Sequence, residues 1–464
     1  MFSFSIPIKR VLHNFAANAF GQAMNGVYQL ISLPLFLHYW SKEGYGEWLV
    51  LFSIPSLLWS LEGGLAGVAS NRMTVAASAG NWELANSLFQ NVLLIQGILS
   101  GILIAGAIAV ASTLKLGSYF HFTQTNNSDT ATIVLLLICY MLTGFCLSLL
   151  RAAYRASENE ARGVMANNLW RMVEFCVVAA VLVTHGNPVF LAKCILGCVV
   201  VSTVVVYVDV RRTCPHIEFG IARASWVQTK SIFIDGLPLL SGQAAAALLL
   251  QGFPLIINRS LGASFVVTFV TIRTVSRMIL LFIQVVTLAS APEVSRSYGR
   301  KDWPVYLRLL KIMLACAVFG GVMTLLLLTT CGPWMIAQWT AGKVMVGHLP
   351  MMLFAVSIAL QGVCTVGGIV LVCSNMHHLF NYLFLGVTVA GLMLANQITP
   401  HFGFTAVPAT MVLQDTSLVV IAAALCQSKL NHITLRDVGS VFTFAFYRRQ
   451  LKAARNKFTF ASSK

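Results

Sequence analysis

The sequence predicts an all-α polytopic membrane protein with about twelve spanning helices, and three observations lead to this prediction. The 464-residue chain is 57% hydrophobic and only 10% charged, with a mean hydropathy of +0.78. Its apolar residues fall in segments of about 18 to 26 residues, the length that an α-helix needs to cross a hydrocarbon core of about 30 Å. Its basic residues are concentrated in every second connection between these segments, as in multi-pass proteins.

The twelve predicted spans share this length and contain few charged side chains. In chain order they cover residues 16–39, 46–69, 88–113, 131–151, 164–184, 189–208, 232–257, 264–289, 309–330, 349–373, 380–398 and 403–426. The first span follows two basic residues as a signal peptide would, but its core is rich in Asn and Gln and no small-residue cleavage site follows it. We therefore interpret it as a retained helix.

Lysine and arginine residues in the connections predict the orientation of the chain. With the N-terminus inside, both ends and the even-numbered connections hold 23 of these residues, and the opposite side holds four. Because basic residues are retained on the cytoplasmic side, both termini are predicted to be cytoplasmic. The formal net charge of +16 is accordingly interpreted as attraction to the lipid bilayer and its anionic headgroups, and no nucleic acid partner is predicted.

A basic, polar stretch at 210–231 is the longest interruption near the middle of the chain, and it divides the spans into six plus six. The predicted domains are an N-terminal six-helix lobe at 1–209, this cytoplasmic inter-lobe loop, a C-terminal six-helix lobe at 232–429 and a basic cytoplasmic tail at 430–464. The loop is interpreted as a hinge. The tail mixes basic with aromatic residues and is interpreted either as a segment on the inner leaflet or as a disordered basic tail.

The two lobes resemble each other weakly in sequence. The matching pairs in the first and seventh spans are Gly21-Gln22 with Gly242-Gln243 and Pro34-Leu35 with Pro254-Leu255. Six-helix halves with the same orientation are parallel repeats, which transporters use to form a cavity between lobes near the membrane midplane. The pattern therefore predicts two bundles around a central cavity.

Ionisable residues inside the predicted spans are the candidate functional residues, because a charge in the membrane is costly and normally faces a cavity or a partner. In the eighth span, Arg273, Arg277 and Gln284 fall within about 40° of one another on a helix and form one polar stripe. This span contains no acidic residue. The stripe therefore either binds an anion or pairs with Asp415 or Glu174 of other helices.

Carboxylates in the spans are candidates for ion coupling, since buried carboxylates can exchange protons near neutral pH. Glu174 lies three residues after Arg171 in the fifth span, where the two could also neutralise each other. Asp415 lies midway along the last span, with a coupling and a structural role equally open. Glu62 lies toward the cytoplasmic end of the second span, where a salt bridge to a cytoplasmic arginine is the alternative.

Amide side chains form a long polar stripe on the first span. Within an arc of about 80° lie Asn14, Asn18, Gln22, Asn25 and Gln29. This stripe is too long for ordinary helix-to-helix hydrogen bonds alone, so it is predicted to line water. Gln251 takes the corresponding place in the seventh span.

A set of short motifs lies at or near the ends of the spans. They are Asn18-x-x-Gly21-Gln22, Leu33-Pro34-Leu35, Gly44-Tyr45-Gly46-Glu47-Trp48, Leu61-Glu62-Gly63-Gly64-Leu65, Asn71-Arg72, Gly80-Asn81, and Pro292-Glu293-Val294-Ser295 followed by Gly299. Together they resemble the lipid-linked polysaccharide flippases of the O-antigen or Wzx type, which belong to the MOP exporter superfamily together with the MATE multidrug transporters. The chain departs from the family pattern at Glu62 and Asn81, where aspartate is usual.

The resemblance implies a MATE-like fold and a flippase of the bacterial inner membrane. Its substrate would be an undecaprenyl-pyrophosphate-linked oligosaccharide, moved to the periplasmic leaflet for cell-surface polysaccharide biosynthesis, with a polymerase and a chain-length regulator as partners. Arg273, Arg277 and Arg171 would bind the pyrophosphate or an anionic glycan through charge-assisted hydrogen bonds. Gln284, Gln251 and the amide stripe would bind sugar hydroxyls. Transport could be coupled to H⁺ or Na⁺, or uncoupled.

Two other functions compete with this interpretation. A MATE-like multidrug exporter would carry cations in an acidic cavity, whereas the three span arginines here outnumber Glu174 and Asp415. A polysaccharide polymerase or ligase would need a large outer loop, and the longest one here covers only 114–130. No nucleophile elbow, Walker-type loop, C-x-x-C pair or metal-ligand spacing is found in the sequence, so a transporter without a cofactor is predicted rather than an enzyme.

Overall fold

The computed structural model describes residues 8–373 and 377–429, and within them the chain is all-α. The helices are α1 Ile8–Tyr39, α2 Lys42–Ser78, α3 Trp82–Thr113, α4 Leu116–Tyr119, α5 Asn127–Ala156, α6 Glu160–Val183, α7 Pro188–Thr213, α8 Trp226–Leu261, α9 Ala263–Gly299, α10 Trp303–Thr330, α11 Gly332–Trp339, α12 His348–Cys373, α13 His377–Phe402 and α14 Ala406–Lys429. Each predicted span lies within one of the long helices, apart from three residues at most. The predicted tail at 430–464 lies outside the described residues.

The helices differ from the prediction in one boundary and in two additional short helices. The last spanning helix begins at Ala406 rather than at 403, because Gly403–Thr405 forms a short 3₁₀ helix in which Gly403 has a positive φ of 64°. The short helices α4 and α11 were not predicted, since four and eight residues are too few to show a helical period.

Length and composition alone identify eight stretches of the described chain that could cross a membrane. One of them, His377–Ser428, is long enough to contain two of the predicted spans. The three predicted spans outside these stretches lie in α1, α2 and α9, the helices that carry the amide stripe, Glu62 and the two arginines. Each of these three helices includes side chains that lie outside the described residues.

Several helices begin at a side chain that caps the first turn. Asn81 Oδ1 accepts a hydrogen bond from the backbone N–H of Leu84 at 3.0 Å, and Asp302 Oδ1 accepts one from Val305 at 3.3 Å. Both residues directly precede a tryptophan, in turns that are predicted to be cytoplasmic. Asn and Asp are equally good N-caps, so Asn81 can replace the family's usual aspartate without losing the cap.

The chain forms two compact units. The first contains Met1–Thr271, Ala337–Met345 and Ala395–Phe404, and the second contains Ile272–Ile336, Val346–Leu394 and Thr405–Lys464. Two segments that are predicted to be outer, one after α11 and one at the end of α13, thus belong to the first unit although their neighbouring helices belong to the second. The division into six-helix lobes at 209 and 232 stays a prediction.

In the first unit, α2 packs against α3, α5 and α8, and α1 packs against α6. Two glycines of the sequence motifs allow close approaches in this unit. A Cβ on Gly21 would lie 2.5 Å from Asn168 Oδ1 on α6, and a Cβ on Gly46 would lie 2.1 Å from the carbonyl oxygen of Ala263 at the start of α9. At Gly46 the neighbouring atoms belong to the backbone, so only glycine allows this approach.

In the second unit, α12 packs against both α10 and α14, and apolar clusters line these contacts. Tyr306 and Met313 of α10 are fully buried in a cluster that also takes in Leu280 of α9 and Val370 of α12. This packing places the arginine-bearing helix α9 next to α10 within one unit.

Amide side chains of α3 form hydrogen bonds with the backbone of the connection between α7 and α8. Asn86 Nδ2 donates to the carbonyl of His216 at 2.9 Å, and Asn86 Oδ1 accepts from the N–H of Glu218 at 2.9 Å. Gln90 Oε1 accepts from the N–H of Arg223 at 2.6 Å, and its Nε2 donates to the carbonyl of Glu218 at 3.2 Å. The predicted hinge is therefore bonded to α3 over residues 216–223.

Replacing Gln90 by leucine should weaken the attachment of this connection to α3 at Glu218 and Arg223. Leucine has a similar volume but bonds neither the Arg223 N–H nor the Glu218 carbonyl, and each unpaired backbone group costs about 1–3 kcal/mol. We expect faster tryptic cleavage after Arg223, which is exposed.

The matched control is Gln96→Leu on the same helix. Gln96 is also a buried amide, but its Nε2 donates to the carbonyl of Phe145 on α5, at 3.3 Å, and not to the connection. Its replacement should leave cleavage after Arg223 at the wild-type rate. If trypsin cleaves the two variants after Arg223 at the same rate, Gln90 does not hold this connection against α3.

Candidate functional site

A cavity of about 300 Å³ lies inside the first unit, at the predicted membrane depth. It is enclosed by α1, α2, α5 and α6, and it is lined by Gly21, Met24, Asn25, Val27, Tyr28, Phe52, Trp59, Tyr140, Asn168, Trp170, Arg171, Met172, Glu174 and Phe175. Six of these side chains are aromatic, and Arg171 and Glu174 supply one charge of each sign. The cavity therefore combines flat apolar walls with a few polar groups, as ligand pockets generally do.

The aromatic wall is built from three helices. Trp59 of α2 stacks on Trp170 of α6 with ring centroids 6.3 Å apart and an interplanar angle of 17°. Trp59 also contacts the ring of Tyr140 on α5, at 5.7 Å. A Cβ on Gly144 would lie 2.7 Å from the Trp59 ring, so this glycine makes room for the indole.

The two charged residues of the cavity do not point to each other as their spacing predicted. Tyr140 donates its hydroxyl hydrogen to Glu174 Oε1 at 2.8 Å, whereas Arg171 Nη1 lies 3.5 Å from Asn25 Oδ1 on α1. Tyr140 thus holds the Glu174 carboxylate at the aromatic wall of the cavity. The guanidinium of Arg171 is exposed to the cavity and is available to a ligand.

One donor in this cavity is unsatisfied. Trp170 is 5% exposed, and its indole N–H is buried without a hydrogen-bond partner in the described part of the chain. A buried unpaired N–H is costly and calls for an explanation.

The second unit holds the predicted arginine stripe on α9. Arg273, Arg277 and Gln284 are all half-buried. Arg277 has no acidic partner among the side chains that the structure describes. Asp415 and Glu174 were its predicted alternative partners, and Glu174 is instead bonded to Tyr140.

Asp415 is 1% exposed and lies on α14 inside the second unit. The hydroxyl of Ser357 on α12 donates a short hydrogen bond to Asp415 Oδ2. Asp415 Oδ1 and the neighbouring Gln414 Oε1 are buried without a donor in the described part of the chain. A proton or a small cation would satisfy these oxygens.

The remaining predicted residues are less informative. Gln29 on α1 and Gln251 on α8 are half-buried and do not line the cavity of the first unit. The side chains of Asn14, Asn18, Gln22 and Glu62 lie outside the described residues.

The aromatic residues of the cavity could not be predicted from the sequence, because tryptophan and tyrosine are common in membrane helices and show no special spacing. The sequence likewise indicated no role for Glu47, which is 1% exposed. Glu47 accepts backbone hydrogen bonds from Thr123 at 2.6 Å, Gln124 at 2.9 Å and Thr125 at 2.8 Å. The outer motif around Glu47 therefore anchors the connection between α4 and α5.

Comparison with known proteins assigns the fold. No protein-family profile matches the sequence, and no curated protein matches it. The structure is similar to the inward-facing conformation of a multidrug resistance MATE family transporter of the MOP superfamily, with a TM-score of 0.75 and 13% identity over 88% of this chain and 94% of that chain. It is also similar to a ligand complex of the MATE multidrug transporter DinF-BH, with a TM-score of 0.64 and 16% identity over 93% and 97% of the two chains.

A third similar structure is a MOP superfamily transporter from Pyrococcus furiosus, for which a reverse polarity of the binding pocket suggests a different function. Its TM-score is 0.65, with 13% identity over 94% of this chain and 97% of that chain. The chain is thus an all-α protein with the fold of the MATE-type transporters of the MOP superfamily. At these identities the likeness concerns the fold alone, so the substrate must be argued from the residues.

Proposed function

We propose that this chain is a flippase of the bacterial inner membrane. It would move an undecaprenyl-pyrophosphate-linked oligosaccharide from the cytoplasmic to the periplasmic leaflet by alternating access, for the synthesis of a cell-surface polysaccharide. The head group of such a substrate is polar and anionic, so it needs a cationic path through the membrane. The polyprenyl tail can stay in lipid.

The observation that carries this proposal is the half-buried Arg277 without an acidic partner in the described chain. A guanidinium in a membrane-spanning helix is costly unless something compensates its charge. With Glu174 bonded to Tyr140, a pyrophosphate is the fitting counter-charge, since arginine binds phosphate oxygens with two parallel hydrogen bonds. Arg273 and Gln284 on the same stripe would extend this contact.

The cavity of the first unit would hold part of the glycan. Arg171 and Asn25 offer donors to sugar oxygens, and the stacked Trp59 and Trp170 offer a flat apolar wall. Release would then be coupled to H⁺ or Na⁺ at Asp415 or Glu174. Each carboxylate accepts a hydroxyl hydrogen bond, from Ser357 and Tyr140 respectively, and keeps oxygen lone pairs for a proton or a cation.

Multidrug export is the second candidate, because the same cavity could bind an organic cation. Aromatic rings attract cations, and Glu174 supplies a negative charge beside them. The similar MATE structures are described as multidrug transporters. Under this alternative the arginines of α9 would have no role in substrate binding.

Deleting the gene and complementing it with the wild type separates the two functions. If the chain is the flippase, the deletion strain loses surface glycan, accumulates the lipid-linked oligosaccharide on the inner leaflet, and returns to normal in both respects on complementation. If the strain keeps its surface glycan and becomes sensitive to cationic drugs, the multidrug alternative is correct.

A further inference from the structure

Pro34 leaves one carbonyl of α1 without its helical partner. In an α-helix the N–H of residue 34 would donate to the carbonyl of residue 30, but proline has no N–H. The indole Nε1 of Trp339 donates instead to the carbonyl oxygen of Leu30, at 3.0 Å. Trp339 is the last residue of α11, 309 residues further along the chain.

A second carbonyl of α1 is taken by the same segment. Leu37 lies in the last turn of α1, where carbonyls have no donor within the helix. The ammonium group of Lys343 donates a short hydrogen bond to the carbonyl oxygen of Leu37. A cation at this position also interacts favourably with the C-terminal end of the helix dipole.

The segment that bears both donors has a preformed shape. Gly342 N–H donates to the carbonyl of Ala337 at 2.7 Å, and Lys343 N–H donates to that of Thr340 at 3.1 Å. Ala341 and Gly342 have positive φ values of 49° and 77°, which close the chain into a tight turn. The turn orients Trp339 and Lys343 to the same helix.

Thr340 and Val344 of this segment are buried, but its contact with the last turns of α1 is not closely packed. An open, mostly apolar cavity of about 530 Å³ lies between it and the outer turns of α1, and its lining includes Ile31, Pro34 and Leu35. The two hydrogen bonds to α1 border this unfilled space, so breaking them costs less than opening a close-packed apolar interface.

We propose that Ala337–Met345 is a releasable latch on the predicted outer end of α1, fastened by Trp339 and Lys343. The latch belongs to the first unit, while the helices before and after it, α10 and α12, belong to the second. Release of the latch would free the predicted outer end of α1 from the segment that follows α11. Trp339 and Lys343 are positioning residues in this scheme, and the scheme does not depend on the substrate.

Hydrogen–deuterium exchange of the full chain in phosphatidylethanolamine/phosphatidylglycerol nanodiscs tests the latch. Trp339→Phe keeps the ring and removes the N–H, and Lys343→Met keeps the stem and removes the charge. Each variant should exchange the amides of 337–345 and of the last turn of α1 about tenfold faster, the factor expected for the loss of one net hydrogen bond. Unchanged exchange in α5 shows that the variants are folded.

Two matched controls and one double variant make the test specific. Trp334→Phe, on α11 but 66% exposed, and Lys115→Met, at an exposed lysine predicted to be outer, should leave the exchange unchanged. Pro34→Ala restores an N–H for the Leu30 carbonyl, so Trp339→Phe should have a smaller effect on that background. Wild-type exchange in both latch variants, equal effects in the controls, or an undiminished effect with Pro34→Ala would each overturn the proposal.

Discussion

Gly46→Ala should destabilise the protein strongly, although it adds a single methyl group to a helix. The new Cβ would lie 2.1 Å from the carbonyl oxygen of Ala263 and 2.5 Å from its carbonyl carbon. These are backbone atoms at the start of α9, so no side-chain rotation can relieve the clash. Overpacking of this kind costs about 1–3 kcal/mol, and more where the backbone must move. The measurement is the apparent melting temperature of the purified protein in detergent, together with its membrane level.

Gly97→Ala is the matched control for this variant. Gly97 lies inside α3, in the same unit, and a Cβ there meets nothing within 4 Å. Alanine is favoured over glycine by about 0.5–1 kcal/mol in a helix interior, so the melting temperature should stay the same or rise. If the two variants have the same apparent melting temperature, the close approach at Gly46 is not important for stability.

The helices of this protein were predictable because their signals are local. A run of apolar residues of membrane-spanning length is sufficient for a helix, and caps such as Asn81 and Asp302 directly precede the helices that they start. The amide stripe of α1 and the arginine stripe of α9 follow from the helical period alone. The positions of their side chains around a ligand do not, because they depend on which helices pack together.

The contacts that hold the connections were not predictable, because each joins residues far apart in the sequence. Pro34 shows that the carbonyl of Leu30 lacks a helical donor, but nothing in the sequence indicates that Trp339 provides one. Similarly, Gln90 is an amide at the start of an apolar helix, and only the fold shows that it binds the backbone of the connection between α7 and α8.

Arg171 and Glu174 could have neutralised each other through a direct ion pair, but the structure does not show this pair, for the same reason. Their spacing of three residues places them on one face of α6, but the hydroxyl of Tyr140 on α5 bonds the carboxylate. Helical spacing describes only the neighbours within one helix, and the competing donor comes from another.

Arg277→Gln should abolish transport of the lipid-linked oligosaccharide while leaving the protein folded. Glutamine keeps a polar side chain but removes the charge and the paired N–H donors. Truncating one partner of a desolvated charge pair costs about 2–5 kcal/mol, which corresponds to a loss of about 30-fold or more in transport. The loss should appear in proteoliposomes as slower appearance of the glycan on the outer leaflet, detected by lectin binding.

The control for this variant is Arg259→Gln at the exposed end of α8, which removes the same charge outside the predicted span. It should transport at the wild-type rate, since a solvated arginine gains little from any one partner. If Arg277→Gln is stable and transports the oligosaccharide normally, the charge on α9 is not used to bind the pyrophosphate. If the wild type and Arg277→Gln export cationic dyes equally well and neither transports the oligosaccharide, the multidrug alternative is correct.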